Sequence, residues 1–191
     1  MNRRRLHGVI FIVSVLLFAG NGLHLAQEPG MEAMMKLAQP GEHHKMLAML
    51  EGTWKTHGTF WMVPGAPPIE SDGISKNTMI MGGRFLRSEL KADFMGMPFT
   101  GFGIDGYDNA SQKHIGTWMD SMGTMIMSSE GTCSDDHKVR TMISEFQDPA
   151  TGKQMKMKQV ITIVDSDKHI FEAYMITPEG EVKAMEIIYT R

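Results

Sequence analysis

The segment HHKMLAMLEGTW, residues 43–54, joins a helix to a strand and carries the clearest fold signal in the chain. Met46, Leu47 and Leu50 recur at spacings of three and four residues, which is the period of a helix with one buried face. Gly52 is a stop signal for that helix. The chain therefore changes from helix to strand at the Gly-Thr-Trp triplet.

Downstream of this triplet, short runs of β-branched and aromatic residues alternate with turn signals every eight to twelve residues. That spacing is typical of an all-β sandwich or barrel. The turn signals lie at residues 63–68, 81–83, 105–109, 120–123, 134–137, 148–153, 165–168 and 178–181. About ten strands lie between them, and the short connections predict an antiparallel meander. We expect residues 53–191 to form one domain.

A meander of this length exposes two sheet edges unless it closes on itself, and closure is the commonest way to remove them. The leading helical segment (residues 27–52, broken at Pro40-Gly41), the Gly-Thr-Trp triplet and the final Arg191 are similar to features of lipocalin-like barrels. The likeness implies that Trp54 plugs one end and that Arg191 lies across its ring as a cation–π pair. The predicted fold is therefore all-β: an antiparallel meander closed into a lipocalin-like β-barrel of about ten strands, with an N-terminal helix.

Six segments carry a wider resemblance. They are GEHHKMLAMLEGTW (41–54), WMVPGAPP (61–68), MIMGGRFL (79–86), MGMPFTGFGIDGYDN (95–109), TWMDSMGT (117–124) and MEIIYTR (185–191). Together they resemble a bacterial family of largely uncharacterised proteins, the domain of unknown function numbered 1579. The resemblance implies that some members are exported and that no activity is established, so it carries over no catalytic residues.

Residues 1–26 have the pattern of a signal peptide. Three arginines precede an apolar run from Val9 to Ala19, and small residues follow that run. The run is shorter than the ~20 apolar residues of a comfortable membrane span. We expect cleavage, export to the periplasm or the exterior, and no stable membrane span afterwards. An uncleaved N-terminal anchor is the alternative.

Charge and cysteine content exclude several classes of protein. The balance of 19 Lys and Arg against 22 Asp and Glu argues against a nucleic-acid partner, and without residues 1–26 the balance becomes 16 against 22. The single cysteine, Cys133, excludes an internal disulfide framework and any Cys-based zinc cluster. The sequence holds no glycine-rich phosphate motif. We therefore predict no cofactor and no metal.

Methionine is unusually abundant, at 20 of 191 residues. Four Met-x-Met pairs occur: Met79/Met81, Met95/Met97, Met125/Met127 and Met155/Met157. Within a strand, both thioethers of such a pair lie on one face. Clustered thioethers suit copper(I), and the alternative is a flexible apolar lining of a core or pocket. We expect a ligand cavity to be lined by Met79, Met81, Met125, Met127, Met155 and Met157.

Polar and aromatic strand residues complete the predicted ligand site. These residues are Trp61, Arg84, Tyr107, His114, Trp118, Asp120 and Tyr174. An arginine inside a barrel can hold a ligand carboxylate through two hydrogen bonds, and Arg87 and Arg140 are further candidates. Aromatic rings provide cavity walls with a polar tip. Gly101 and Gly103 suit a sharp bend or the close approach of a ligand.

His114, Asp120 and the neighbouring Ser121 permit a hydrolase hypothesis. A catalytic triad needs a serine held by a histidine that a carboxylate holds in turn, beside an oxyanion hole, and one strand does not present all three roles at one atom. His43 and His44 do not form a metal pair, because adjacent helical residues point ~100° apart. We therefore assign no catalytic residue.

The leading hypothesis is an exported barrel that binds a small apolar or amphipathic molecule in a cavity lined by methionine and aromatic residues. A solidly packed barrel interior would exclude it. The alternatives are a hydrolase around His114, a protein-interaction module that presents residues 63–68 and the helix, and a copper(I)-binding protein.

Overall fold

A computed structural model of the protein describes residues 29–62, 65–148 and 151–191. The predicted signal peptide lies outside these residues, as do Val63 and Pro64 of the first predicted turn. Within the described part of the chain, neither helix has the length and apolar character needed to cross a membrane.

Two short helices precede the barrel: α1 (Pro29–Leu37) and α2 (Glu42–Met49). The chain turns between them at Pro40, because proline cannot continue a helix. The backbone N–H of Gly41 donates a hydrogen bond to Nδ1 of His44 at 3.0 Å. His44 thus closes the first turn of α2 by the reciprocal contact of a capping box.

Ten strands follow the helices. They are β1 (Gly52–Phe60), β2 (Ile69–Ile80), β3 (Phe85–Phe94), β4 (Met97–Asp108), β5 (Lys113–Asp120), β6 (Met127–Cys133), β7 (Val139–Gln147), β8 (Gln154–Ile163), β9 (Lys168–Thr177) and β10 (Gly180–Thr190). Each strand pairs antiparallel with its neighbour in sequence, and β1 pairs with β10 from Lys55/Thr190 to Phe60/Met185. The sheet closes on itself and leaves no unpaired edge. The predicted ten-stranded antiparallel barrel is confirmed.

One predicted turn is wrong and another was missed. Residues 105–109 were expected to turn, but β4 continues through them to Asp108. Asp105 belongs to the strand because its carboxylate pairs with Arg140 inside the barrel. The β4–β5 turn follows at residues 109–112, and a further turn lies earlier, between β3 and β4, where Met95 and Gly96 have φ angles of 55° and 77°. Positive φ at both central residues is characteristic of the tightest hairpins.

Helix α2 closes one end of the barrel. Its residues Met46 and Leu47, together with Leu50, pack against Leu86 of β3 and Ile163 of β8, and all five are buried. This cluster is the main hydrophobic core of the described residues, and it lies at the end of the barrel rather than along its axis.

Trp54 lies beneath this closed end and is 1% exposed. Its Nε1 donates a hydrogen bond to the backbone oxygen of Leu50 at 2.9 Å. The guanidinium carbon of Arg191 lies 4.2 Å from the Trp54 ring centroid, and its Nη1 donates to the backbone oxygen of Glu51 at 2.9 Å. The last residue of the chain thus holds β1 and the end of α2 together.

Candidate ligand cavity

The barrel interior holds a cavity of about 440 Å³. This volume lies in the range of about 300–1,000 Å³ that is usual for small-molecule sites. Met62 and Met122 lie at its mouth and are exposed, at the end of the barrel opposite α2. The interior is therefore not solidly packed, which satisfies the condition that the ligand-binding hypothesis set.

The cavity wall is more polar at one end than at the other. Toward α2 it holds the polar side chains of Thr56, Ser75, Asn77, Asp105, Arg140, His169 and Tyr189, beside the apolar Leu50, Leu86 and Ile161 of the core region. Toward the mouth it is formed by Phe60, Phe94, Phe99, Trp118, Met127, Met157 and Met185, with Ser71 and Asp120 as polar exceptions. Residues from different strands meet at each end because odd strands begin where even strands end.

Arg140 is the most heavily buried charge in the cavity wall, with a side chain that is 2% exposed. Its Nη2 lies 2.9 Å from Oδ1 of Asp105. Its Nε and Nη1 are buried and have no hydrogen-bond partner among the described residues. A buried guanidinium with unsatisfied donors is costly, because each unpaired group has lost its water.

His169 lies in the same polar region, stacked on Tyr189 with ring centroids 4.2 Å apart and edge-on to Trp54 at 4.4 Å. Burial, together with the cations Arg191 and Arg140, lowers the pKa of His169 to about 3. The imidazole is therefore neutral at ordinary pH. Its Nδ1 is buried and also lacks a partner in the described structure.

We expect the substitution His169→Phe to reduce the acid sensitivity of the fold. The pKa of this histidine is depressed on folding, so between pH 6.5 and about 3 the unfolded chain binds a proton that the folded chain excludes. Stability therefore falls as pH falls through this window, by about 2–3 kcal/mol from this group between pH 6.5 and 4.5. Phenylalanine keeps the ring contacts and removes the titration.

Urea unfolding of both proteins at pH 7 and pH 4.5 measures this difference. His57→Phe is the control, because His57 lies on the exposed barrel surface beside Asp72, which raises its pKa. If acidification lowered the free energy of unfolding equally in wild type and in His169→Phe, the assignment of His169 as a buried neutral group would be contradicted.

Trp118 lies flat across the glycines of the neighbouring strand. A Cβ built on Gly101 would lie 2.2 Å from Cζ2 of Trp118, and one on Gly103 would lie 3.0 Å from its Cε3. The glycines were expected to permit a bend or a ligand contact, and they instead make room for this indole. Trp118 Nε1 donates to Oδ2 of Asp120 at 3.0 Å, which holds the ring against the cavity wall.

Four of the predicted ligand-site residues line the cavity: Trp118, Asp120, Met127 and Met157. Met155 shares a strand face with Met157 in β8. Met79 packs against the core cluster beneath α2. These residues share the barrel interior, as their alternate positions in strands predicted.

Five other predicted residues lie outside the cavity. Met81, Met125 and Trp61 are exposed, and each lies beyond the end of a strand. Arg84 lies in the turn after β2, where its Nε donates to the backbone oxygen of Ala38 at 3.0 Å. Tyr174 lies on the outer face of β9, with Lys158 Nζ 4.8 Å from its ring centroid. Placing these five at the cavity wall was therefore a misassignment.

In three of the four methionine pairs, one member lies within a strand and the other lies beyond its end. Met81, Met95 and Met125 lie in connections, so they do not share a strand face with their partners. Met155 and Met157 alone among the four pairs lie together within one strand. The geometric basis for the copper(I) hypothesis is accordingly reduced to a single pair.

Tyr107 and His114 lie beneath α2, beyond the polar end of the cavity. The ring of His43 stacks on Tyr107 with centroids 3.8 Å apart, and its Nδ1 lies 3.2 Å from Nε2 of His114. Burial lowers the pKa of His114 to about 3, with a further contribution from Arg140. From the sequence, His43 was considered only as a possible metal pair with His44 and was not brought together with these side chains.

The hydrolase hypothesis loses its geometric basis. His114 and Asp120 lie six residues apart in one strand, which separates them by about 20 Å, at opposite ends of the barrel. Ser121 Oγ accepts a hydrogen bond from the backbone N–H of Thr100 at 3.1 Å. The three side chains therefore do not meet at one reacting atom.

Asp105, His169 and Tyr189 are cavity residues that the sequence analysis did not select. Their only local signal is an inward position in a strand, two residues from another inward residue. Asp105 was missed because it was assigned to a turn. The pairing of His169 with Tyr189 depends on the β9–β10 register, which joins strands by contacts that the local pattern does not encode.

The fold and the cavity define a closed ten-stranded antiparallel barrel protein with a partly polar interior. Over residues 39–191 the sequence matches the family described as "Protein of unknown function (DUF1579)", and the chain belongs to that family. The family predicted from the sequence is confirmed.

Comparison with solved structures finds chains that resemble this one, with Rv2717c similar in fold. The crystal structure of Rv2717c from M. tuberculosis has a TM-score of 0.59 and 16% identity, covering 80% of this chain and 99% of that one. A redesigned β-barrel, b11L5F_LGL, has a TM-score of 0.40 and 16% identity, covering 76% and 94% respectively. No curated protein matches the sequence.

Proposed function

We propose that this protein binds a small amphipathic molecule inside the barrel. Its hydrogen-bond-accepting head, a carboxylate or a group of similar chemistry, lies at the polar end beside Arg140. Its apolar part extends toward the mouth. The observation that carries the proposal is the buried guanidinium in the cavity wall, which has two nitrogens without a partner in the described structure.

The ion pair of Arg140 with Asp105, which has no net charge, determines the kind of head group. Asp105 occupies one nitrogen and offsets one charge, so the site favours an acceptor that needs two hydrogen bonds more than it favours a high negative charge. Neutral His169 adds no positive charge. Thr56 adds a hydroxyl group at the same end of the cavity. Ser75 and Asn77 are engaged there with each other and with the backbone oxygen of Leu50.

The apolar residues at the cavity mouth support the proposal that part of the ligand is apolar. Phenylalanine rings from three strands, Phe60, Phe94 and Phe99, lie there together with Met127 and Met157. Methionine side chains are flexible and polarisable, so they adapt to apolar ligands of different shape. Burial of such a tail contributes roughly 25 cal/mol per Å² of apolar surface removed from water.

Titration with dodecanoate, with dodecanol as the uncharged probe of equal chain length, tests the proposal. We expect wild-type protein to bind dodecanoate at least about tenfold more tightly than the Asp105→Asn/Arg140→Met double variant, because two charge-assisted hydrogen bonds are lost. Dodecanol affinity should change little. Trp118 lies in the cavity wall, so its fluorescence reports binding, and native mass spectrometry gives the stoichiometry.

Asp105→Asn alone is the matched control, because it keeps the guanidinium and removes its competing carboxylate. It should bind dodecanoate at least as tightly as wild type. A second variant, Ser88→Phe, fills the cavity from its wall and should abolish binding of both probes. Equal affinity of all variants for dodecanoate, or no binding of either probe to the folded wild type, would contradict the proposal.

Export is part of the same proposal and depends on the pattern of residues 1–26. N-terminal sequencing of the protein recovered from the cell envelope or the medium tests it. A mature N-terminus near residue 27 is expected, whereas an intact chain confined to the cytoplasm would contradict export.

A further inference from the structure

Four metal-binding side chains converge where α2 meets the ends of β5 and β6. Nδ1 of His43 lies 3.3 Å from Sγ of Cys133 and 3.2 Å from Nε2 of His114. Sγ of Cys133 lies 3.4 Å from Nδ1 of His137, in the β6–β7 turn. One ligand atom each from His43, Cys133 and His137 lies within 4.8 Å of the others.

These separations match the edges of a tetrahedral zinc site. Zinc binds imidazole nitrogen at about 2.0–2.1 Å and thiolate sulfur at about 2.3 Å, so its tetrahedral ligands lie about 3.3–3.6 Å apart. The two sulfur–nitrogen separations, 3.3 and 3.4 Å, fall at this value. Small side-chain rotations therefore suffice to admit an ion.

The surrounding structure holds the three ligands in position. The His43 ring is fixed between Tyr107, stacked at 3.8 Å, and the edge of His137, with centroids 4.7 Å apart. His137 has a φ of 55°, in the left-handed region that few non-glycine residues adopt. The backbone N–H of His137 donates to the backbone oxygen of Ser134 at 2.9 Å, which stabilises this conformation.

The chemistry of the three side chains suits a divalent metal. Imidazole nitrogen and thiolate sulfur are the donors that zinc binds in proteins. A bound divalent ion displaces the thiol proton of a cysteine ligand itself, so the site needs no separate base.

We propose that His43, Cys133 and His137 bind one Zn²⁺ ion and so join α2 to the β6–β7 turn. Binding replaces the S–H bond of Cys133 with an S–Zn bond and releases one proton to solvent. The fourth position takes water. His114 is not assigned as a ligand, because a metal at its Nε2 would force the proton onto Nδ1, which is buried without a partner in the described structure.

The proposed site bears on two expectations. The sequence predicts no Cys-based zinc cluster because it has a single cysteine, whereas in the proposal His137, four residues after Cys133, and His43, 90 residues before it, supply the remaining ligands. His43 was not expected to bind metal because His44 cannot share the ion. The structure separates their roles, since His44 closes the first turn of α2 while His43 faces Cys133.

The test uses the full chain, stripped of metal with a chelator and titrated with ZnCl₂ or CoCl₂ alone. We expect one equivalent of either ion to bind. The cobalt form should show the sulfur-to-metal charge-transfer absorption of a thiolate ligand. Zinc should also raise the thermal unfolding temperature, because it binds the folded state at a preformed site.

Cys133→Ser should abolish the charge-transfer absorption. His137→Gln should weaken zinc binding by at least about 100-fold, because replacing a residue that only supports a ligand costs at most about 100-fold in metal affinity. His57→Gln, on the outer surface of β1, is the matched control and should bind as wild type does. Circular dichroism confirms that each variant is folded. Cobalt binding without charge-transfer absorption, or unchanged zinc affinity in His137→Gln, would overturn the proposal.

Failure of this site leaves the proposed function untouched, since dodecanoate binding is measured in the barrel cavity. The zinc titration is read from absorption and stoichiometry, and neither depends on the cavity ligand.

Discussion

Gly131→Ala should destabilise the barrel by about 4 kcal/mol or more, which is enough to prevent folded protein from accumulating. A Cβ at this position would lie 1.9 Å from the backbone oxygen of Thr141 and 2.7 Å from Cα of Met142. These are backbone atoms of the paired strand β7 and cannot rotate away as a side chain does. The substitution therefore forces β6 and β7 apart.

Thermal and urea unfolding followed by circular dichroism measure this effect. Gly123→Ala is the matched control, because its added Cβ would meet nothing closer than the backbone nitrogen of Met125 at 4.0 Å. It should change stability by less than about 0.5 kcal/mol. Equal stability of the two variants would show that β6 and β7 are not as close at this point as the structure has them.

Trp54→Ala should cost about 3–5 kcal/mol of stability, the usual penalty for removing a large buried aromatic side chain. The indole is 1% exposed and contacts both His169 and Arg191. Its loss does not leave the Leu50 carbonyl unpaired, because Asn77 Nδ2 also donates to that oxygen at 3.0 Å. The cost therefore reports packing and the cation–π contact rather than an unsatisfied backbone group.

Trp61→Ala is the comparison for Trp54→Ala, since it removes the same side chain from an exposed position. Its expected cost is below about 1 kcal/mol. Urea unfolding by circular dichroism at pH 7 compares the two without relying on tryptophan fluorescence. A loss of stability for Trp61→Ala as large as that for Trp54→Ala would contradict the conclusion that Trp54 stabilises the closed end of the barrel.

The strands of this chain could be predicted from the sequence because the alternation of inward and outward side chains is a property of neighbouring residues. In β8, Lys156 alternates with Met155 and Met157, and the methionines share the inner face as the period of two requires. The Gly-Thr-Trp triplet placed the start of β1 correctly. Turn chemistry was less informative, because the turn residues at 105–109 also fit in a strand in which the carboxylate of Asp105 contacts a buried arginine.

Cavity residues were predicted well where strand position decided them and poorly near strand ends. Met127 and Met157 lie within strands and line the cavity, whereas Met81 and Met125 lie one or two residues beyond a strand and face solvent. A shift of this size moves a side chain out of the alternating pattern altogether. Element boundaries are the least certain part of sequence interpretation for the same reason.

The amino-acid sequence was sufficient for the antiparallel strands, because hydrophobic alternation and turn residues act within about ten residues of one another. It was sufficient to predict a closed barrel because a long meander must cover its two edges, and its motifs predicted the family. The contacts of Arg140 with Asp105, and of Cys133 with His43, join positions 35 and 90 residues apart. They depend on strand register, barrel closure and the docking of α2, which the packing of the whole chain determines. The cavity's polar end and the histidine–cysteine cluster therefore became visible only once the barrel was closed.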